Sequence, residues 1–113
     1  MRRLSGISAA LLITAAIAVA DVQVSKSEAL KAALVKPQPA YSPIARQMKV
    51  LGRVEVEVLI NEQGAVETAK ALTGNPLLTQ SAVAACEKWK FTPFTSDGKA
   101  VKATTMIVFD FRP

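Results

Sequence analysis

The chain has 113 residues, a formal net charge of +5, a single cysteine and no histidine. Lacking histidine, it lacks the commonest general base and the most frequent transition-metal ligand, and its one cysteine supports neither an intramolecular disulfide nor an ordinary zinc site. Catalysis, cofactors and metals are therefore not expected, and the scattered Lys and Arg, with no run and no interleaved aromatics, do not describe a nucleic-acid surface.

Arg2 and Arg3 precede an apolar run from Leu4 to Ala20, and Ala18-Val19-Ala20 offers small residues just before Asp21. Residues 1–20 read as a secretory signal peptide cleaved after Ala20. The alternative is an uncleaved membrane anchor. A spanning helix needs about 20 predominantly apolar residues, and this run is interrupted by Ser5, Gly6, Ser8 and Thr14. Cleavage would also remove Arg2 and Arg3, so part of the basicity belongs to the targeting segment. The mature remainder is enough for one small domain.

Residues 21–36 read as a short tail or linker. In it Ser25-x-x-Glu28 can form a capping box, and Leu30 and Leu34 share one helical face. Lys36-Pro37-Gln38-Pro39 stops this helix, because proline disfavours helical geometry in the residue before it and has no backbone donor. The compact domain is expected over residues 37–113. From Arg53 to Ile60, Val54, Val56, Val58 and Ile60 alternate with Arg53, Glu55 and Glu57, the period of a half-buried strand. That polar row reads as a solvated face rather than an acid/base pair. Asn61-Glu62-Gln63-Gly64 turns the chain, with Gly64 in left-handed geometry, and Ala65 to Leu72 returns. Val66, Ala69 and Ala71 cannot all face the core in a regular pleat, so a bulge is expected near Glu67 or Thr68.

Thr73-Gly74-Asn75-Pro76 introduces a helix with Asn75 or Thr79 as N-cap and Pro76 in its first turn. Leu78, Ala82, Cys86 and Trp89 recur about once per turn, an apolar stripe that lays the helix on the sheet with Gln80, Glu87 and Lys88 outward. Cys86 then packs as a small hydrophobe, and Trp89 and Phe91 anchor the core. Pro93 ends the segment, Asp97-Gly98 turns the chain, and Val101 to Phe111 forms a long strand with Ile107, Phe109 and Phe111 inward. The expected fold is α+β: a small β-β-α-β domain whose helix packs on a three-stranded antiparallel sheet. Such a sheet leaves edges unpaired, and an unpaired edge is a template for another chain.

Three spaced motifs, Tyr41-Ser42-Pro43-Ile44-Ala45-Arg46 running on to Gly52, Trp89-Lys90-Phe91-Thr92-Pro93, and Asp97-Gly98-Lys99, resemble in their order the TonB C-terminal domain family of Gram-negative bacteria. The resemblance spans about Gln38 to Phe111. It implies a non-enzymatic periplasmic module linked to transport across the outer membrane. Such a module captures an extended segment of an outer-membrane receptor, the TonB box, or of a periplasmic protein, as an added strand beside the last strand of the sheet. Carried onto this chain, the resemblance assigns partner binding to Gln38 and Pro39, to Tyr41, whose packing role is the stronger reading, and to Lys102, Thr104, Met106 and Val108 on the Val101–Asp110 edge. Two departures stand out. Ser42 replaces the first proline of the usual Tyr-Pro opening, which should loosen that segment. Transducing members also keep a transmembrane helix and a long proline-rich spacer, whereas residues 21–36 here reach at most about 50 to 60 Å. Two further readings remain: a minimal transducer anchored on the periplasmic side of the inner membrane by residues 4–20, and a self-associating structural domain that forms a homodimer.

Overall fold

The computed structural model describes residues 22–112, so the expected signal peptide and its cleavage point lie outside the described residues. In chain order the elements are β1 (Val22–Gln23), α1 (Lys26–Ala32), β2 (Ala33–Val35), α2 (Pro43–Gln47), β3 (Gly52–Ile60), β4 (Val66–Thr73), α3 (Pro76–Cys86), β5 (Lys90–Phe91), β6 (Phe94–Ser96), β7 (Lys99–Val101) and β8 (Ala103–Phe111). The main sheet has the order β1-β8-β3-β4. β3 is antiparallel to both of its neighbours, while β1 runs parallel to β8. The long elements β3, β4, α3 and β8 make the α+β arrangement expected from the alternation, and the expected three-stranded sheet gains a fourth strand of two residues.

The alternation of β3 translates directly into burial. Val54, Val56, Val58 and Ile60 are fully enclosed, while Arg53 and Glu57 on the opposite face are exposed. The return strand is irregular where its pattern is. Pairing passes from Thr68 opposite Leu59 to Val66 opposite Ile60, leaving Glu67 out as a bulge, and a second shift skips Leu72. At the hairpin tip Asn61 Oδ1 accepts the amides of Gln63 and Ala65. Gly64 has φ +85, and a Cβ there would lie 1.9 Å from the carbonyl oxygen of Phe91. Only glycine satisfies both the turn and this close approach.

Asn75 caps α3 by accepting the Leu77 amide at 2.8 Å, and Leu78, Ala82, Ala85 and Cys86 are the buried face. The helix stops at Cys86, so Trp89 is not its last turn, contrary to the expectation from spacing. The indole enters the core from the turn beyond the helix, 5.9 Å from the Phe91 ring and edge-on to Phe109 at 6.0 Å. Burying side chains of this size contributes about 2 to 3 kcal/mol each. Cys86 is fully buried, and burial, with a smaller effect from Glu87, pushes its thiol up to about 12. It therefore packs as a neutral hydrophobe. The expected strand from Val101 is broken at Lys102: Val101 belongs to the β6–β7 hairpin, closed through Asp97-Gly98, and β8 starts at Ala103.

Residues 22–36 do not stand off as a tail. Ser25 caps α1 by accepting the Glu28 amide, Ala29 is buried, and β2 pairs with β5 through Ala33 opposite Phe91 and Val35 opposite Lys90. Packing supplies the stability that so short a helix lacks alone. Ser42, expected to loosen its segment, instead caps α2 by accepting the Ala45 amide at 3.1 Å, with Pro43 in the first turn.

Candidate partner-binding edge

β8 is bonded to β3 on one side, so its other side decides what the sheet can accept. Val22 N donates to Lys102 O at 3.0 Å and Val24 N to Thr104 O at 2.9 Å. The even-numbered residues of β8 thus aim their backbone groups away from β3, and by the two-residue period of a strand so do Met106, Val108 and Asp110. β1 ends at Gln23, opposite Thr104. Among the described residues no strand pairs with the stretch from Met106 to Asp110.

That stretch forms one side of a groove of about 470 Å³. Opposite it, α1 contributes Lys26, Ala29 and Leu30, while the indole of Trp89 and the segment carrying Lys36 and Gln38 complete the lining. Trp89 Nε1 donates to Pro37 O at 3.0 Å, which pins this segment to the core. Leu30 is half exposed, an apolar side chain facing the opening. The lining holds two lysines and one carboxylate, and that carboxylate, Asp110, faces Arg112 at 3.6 Å. The slot therefore mixes apolar walls with two lysines, and among the described residues no strand pairs with the backbone along its β8 side.

The structure gathers only some of the residues that the family resemblance singled out. Gln38, Met106 and Val108 line the groove together. Lys102 and Thr104 lie beneath β1, their carbonyls occupied by Val22 and Val24, and Lys102 Nζ approaches Glu67 at 3.2 Å. Pro39 lies in a neighbouring hollow against Ser81, Ala84 and Lys88 of the α3 side. Tyr41 is a packing residue: its hydroxyl donates to Val50 O, its ring meets Phe111 edge-on at 6.0 Å, and the Arg46 guanidinium covers it at 4.8 Å. Lys26, Leu30 and Lys36 were absent from the sequence-derived set because they belong to the stretch read as a linker. The capping box at Ser25 and Glu28 was the available sign that this stretch is ordered. Among the described residues there is no metal-binding cluster of His, Cys, Asp or Glu, and no helix is long and apolar enough to cross a membrane.

The family described as Gram-negative bacterial TonB protein C-terminal matches residues 37–113. The chain belongs to the TonB C-terminal family. Over 86 residues it is 36% identical to Protein TonB of Vibrio cholerae serotype O1, covering 73% of this chain and 35% of that protein. It thus spans about a third of that relative's length. The solution NMR structure of the Pseudomonas aeruginosa TonB C-terminal domain superimposes with a TM-score of 0.61 at 28% identity, covering 72% of this chain and 84% of that one. The family match opens at Pro37, after β1, α1, β2, Lys26 and Lys36.

Proposed function

We propose that this chain is a TonB-like periplasmic binding module serving transport across the outer membrane, and that it takes an extended segment of an outer-membrane receptor as a strand along Met106–Asp110. The observation that carries this reading is the row of outward backbone groups at Met106, Val108 and Asp110, set in a walled groove rather than on a bare surface. An unpaired edge offers main-chain hydrogen bonds in a fixed register, and the lining selects among side chains. Lys26 and Lys36 favour a segment bearing carboxylates. The role is binding rather than catalysis.

Titration with a TonB-box peptide, followed by amide hydrogen exchange and chemical shift, tests the site. Protection should appear at Met106, Val108 and Asp110, with shifts at Gln38. Changes confined to the β3–β4 hairpin would place the site elsewhere, and a dimer that forms with concentration but ignores the peptide would support self-association through the same edge. Release of a mature protein starting at Asp21 by osmotic shock, read by intact mass, tests the location; full-length protein in washed inner membranes would favour the anchored transducer.

A further inference from the structure

β1 and a guest strand along Met106–Asp110 would lie end to end on one edge of β8, so β1 bears directly on where the guest can start. We propose that β1 is a built-in stop that fixes the register and length of the strand accepted by β8. This rests on the edge-binding reading and extends it.

β1 is short, but its attachment is not confined to its two residues. Beyond the bonds from Val22 N and Val24 N, the hydroxyl of Thr105 donates to Val24 O at 2.8 Å. Thr105 is 4% exposed and is the one buried polar side chain among the described residues. Pulling Val24 away would leave that hydroxyl buried without a partner, which costs more than losing an exposed hydrogen bond. Val24 also packs against the core, and the chain passes at once into α1, which is held by buried Ala29 and then by the β2–β5 pairing. The strap is fastened at both ends. A guest strand therefore finds Lys102 and Thr104 taken and begins at Met106, with three outward residues available before β8 ends. Register matters because a shift of one residue exchanges the two faces of a strand. The stop lies ahead of residues 37–113, the stretch that the family match covers.

The test compares end-blocked peptides of five and nine residues from one receptor's TonB box, using the full mature chain in three forms. In the native chain both peptides should bind within about twofold of each other, with protection ending at Met106. A lock made by Gln23→Cys with Thr104→Cys, register partners in β1 and β8, should leave five-residue binding within about twofold. An unlocked form, Val24→Pro with Thr105→Val, should bind the nine-residue peptide about tenfold tighter than the five-residue one, since further backbone pairs become available. Its protection should spread to Thr104. Thr105→Val alone repeats the test should the double variant not fold. Loss of five-residue binding in the locked form would show that β1 must leave, and would overturn the proposal. So would equal binding of both peptides in every form with an unchanged footprint. Binding by no form would overturn the edge reading itself; slow amide exchange at Val22 and Val24 without peptide would still report whether β1 is paired.

Discussion

The two sides of the main sheet handle the same hazard in opposite ways. β4 is exposed along most of its length, but two register shifts, at Glu67 and Leu72, break the rhythm of its backbone, and Glu67 and Lys70 place charge along it. Bulges and charges are the usual means of keeping an outer strand from pairing with a stranger. β8 keeps an unbroken nine-residue register with β3, so it would be the more adhesive of the two. Its outer side is instead covered at one end by β1 and walled along the rest by α1 and the Lys36–Gln38 segment. One edge is blunted by its own irregularity. The other stays regular and is restricted from outside.

The largest effect is expected at Trp89, which floors the groove and holds Pro37. Trp89→Ala should cost about 3 to 5 kcal/mol, a large part of the 5 to 15 kcal/mol typical of a whole domain, read as the shift in a urea unfolding curve. Trp89→Phe is the sharper variant: losing the bond to Pro37 O should cost about 1 kcal/mol and speed exchange beside β8 while leaving β4 unchanged. Equal loosening of both sides would break the contrast. Next comes Met106→Pro, which removes an outward donor from the open stretch. Peptide affinity should fall tenfold or more, by calorimetry, for about one to two lost backbone bonds, with a melting midpoint near the native one because the missing donor faces away from β3. A collapse of the fold would show that this amide points inward. The blunted side is probed by Glu67→Val with Lys70→Val, which should raise concentration-dependent association in sedimentation velocity without changing peptide affinity. The smallest effect belongs to Lys26→Ala with Lys36→Ala: binding of an acidic peptide should weaken about two- to fivefold at low salt and converge with the native value at high salt, as expected for exposed charges.

Periodicity makes the long strands legible. Valines at every second position mark β3, and the failure of that rule across Val66, Ala69 and Ala71 marks the bulge. Local chemistry also marks the cap of α3, since Asn75 before Pro76 offers an acceptor and a preset φ at the right place. Trp89 is harder: Glu87-Lys88 carries no glycine stop, so the apolar spacing continues past the real end of the helix. Ser42-Pro43 carries an N-cap signature of its own, which comparison with a Tyr-Pro opening obscures. The site is legible by half. Met106 and Val108 enter through the family resemblance, which puts the partner beside the last strand, but the stop over Thr104 depends on a two-residue strand with no period to detect, brought to β8 from the other end of the described chain. Lys26 becomes a groove residue because α1 packs beside β8, and Lys36 because β2 pairs with β5 and Trp89 holds Pro37.

The bond between Val24 and Thr105 spans 81 positions in sequence, and β8 lies between β1 and β3 in the sheet although it is made after every other described strand. Pairings of such separation carry the loop-closure penalty that slows β-rich folds. During synthesis, β3 and β4 can form a hairpin, but the strand that closes the core beneath Trp89 does not yet exist, and β1 has no partner at all. The sheet is completed only once residues 103–111 are available. A chain cut short before Ala103 should accordingly lose the whole cooperative unit, not one edge of it.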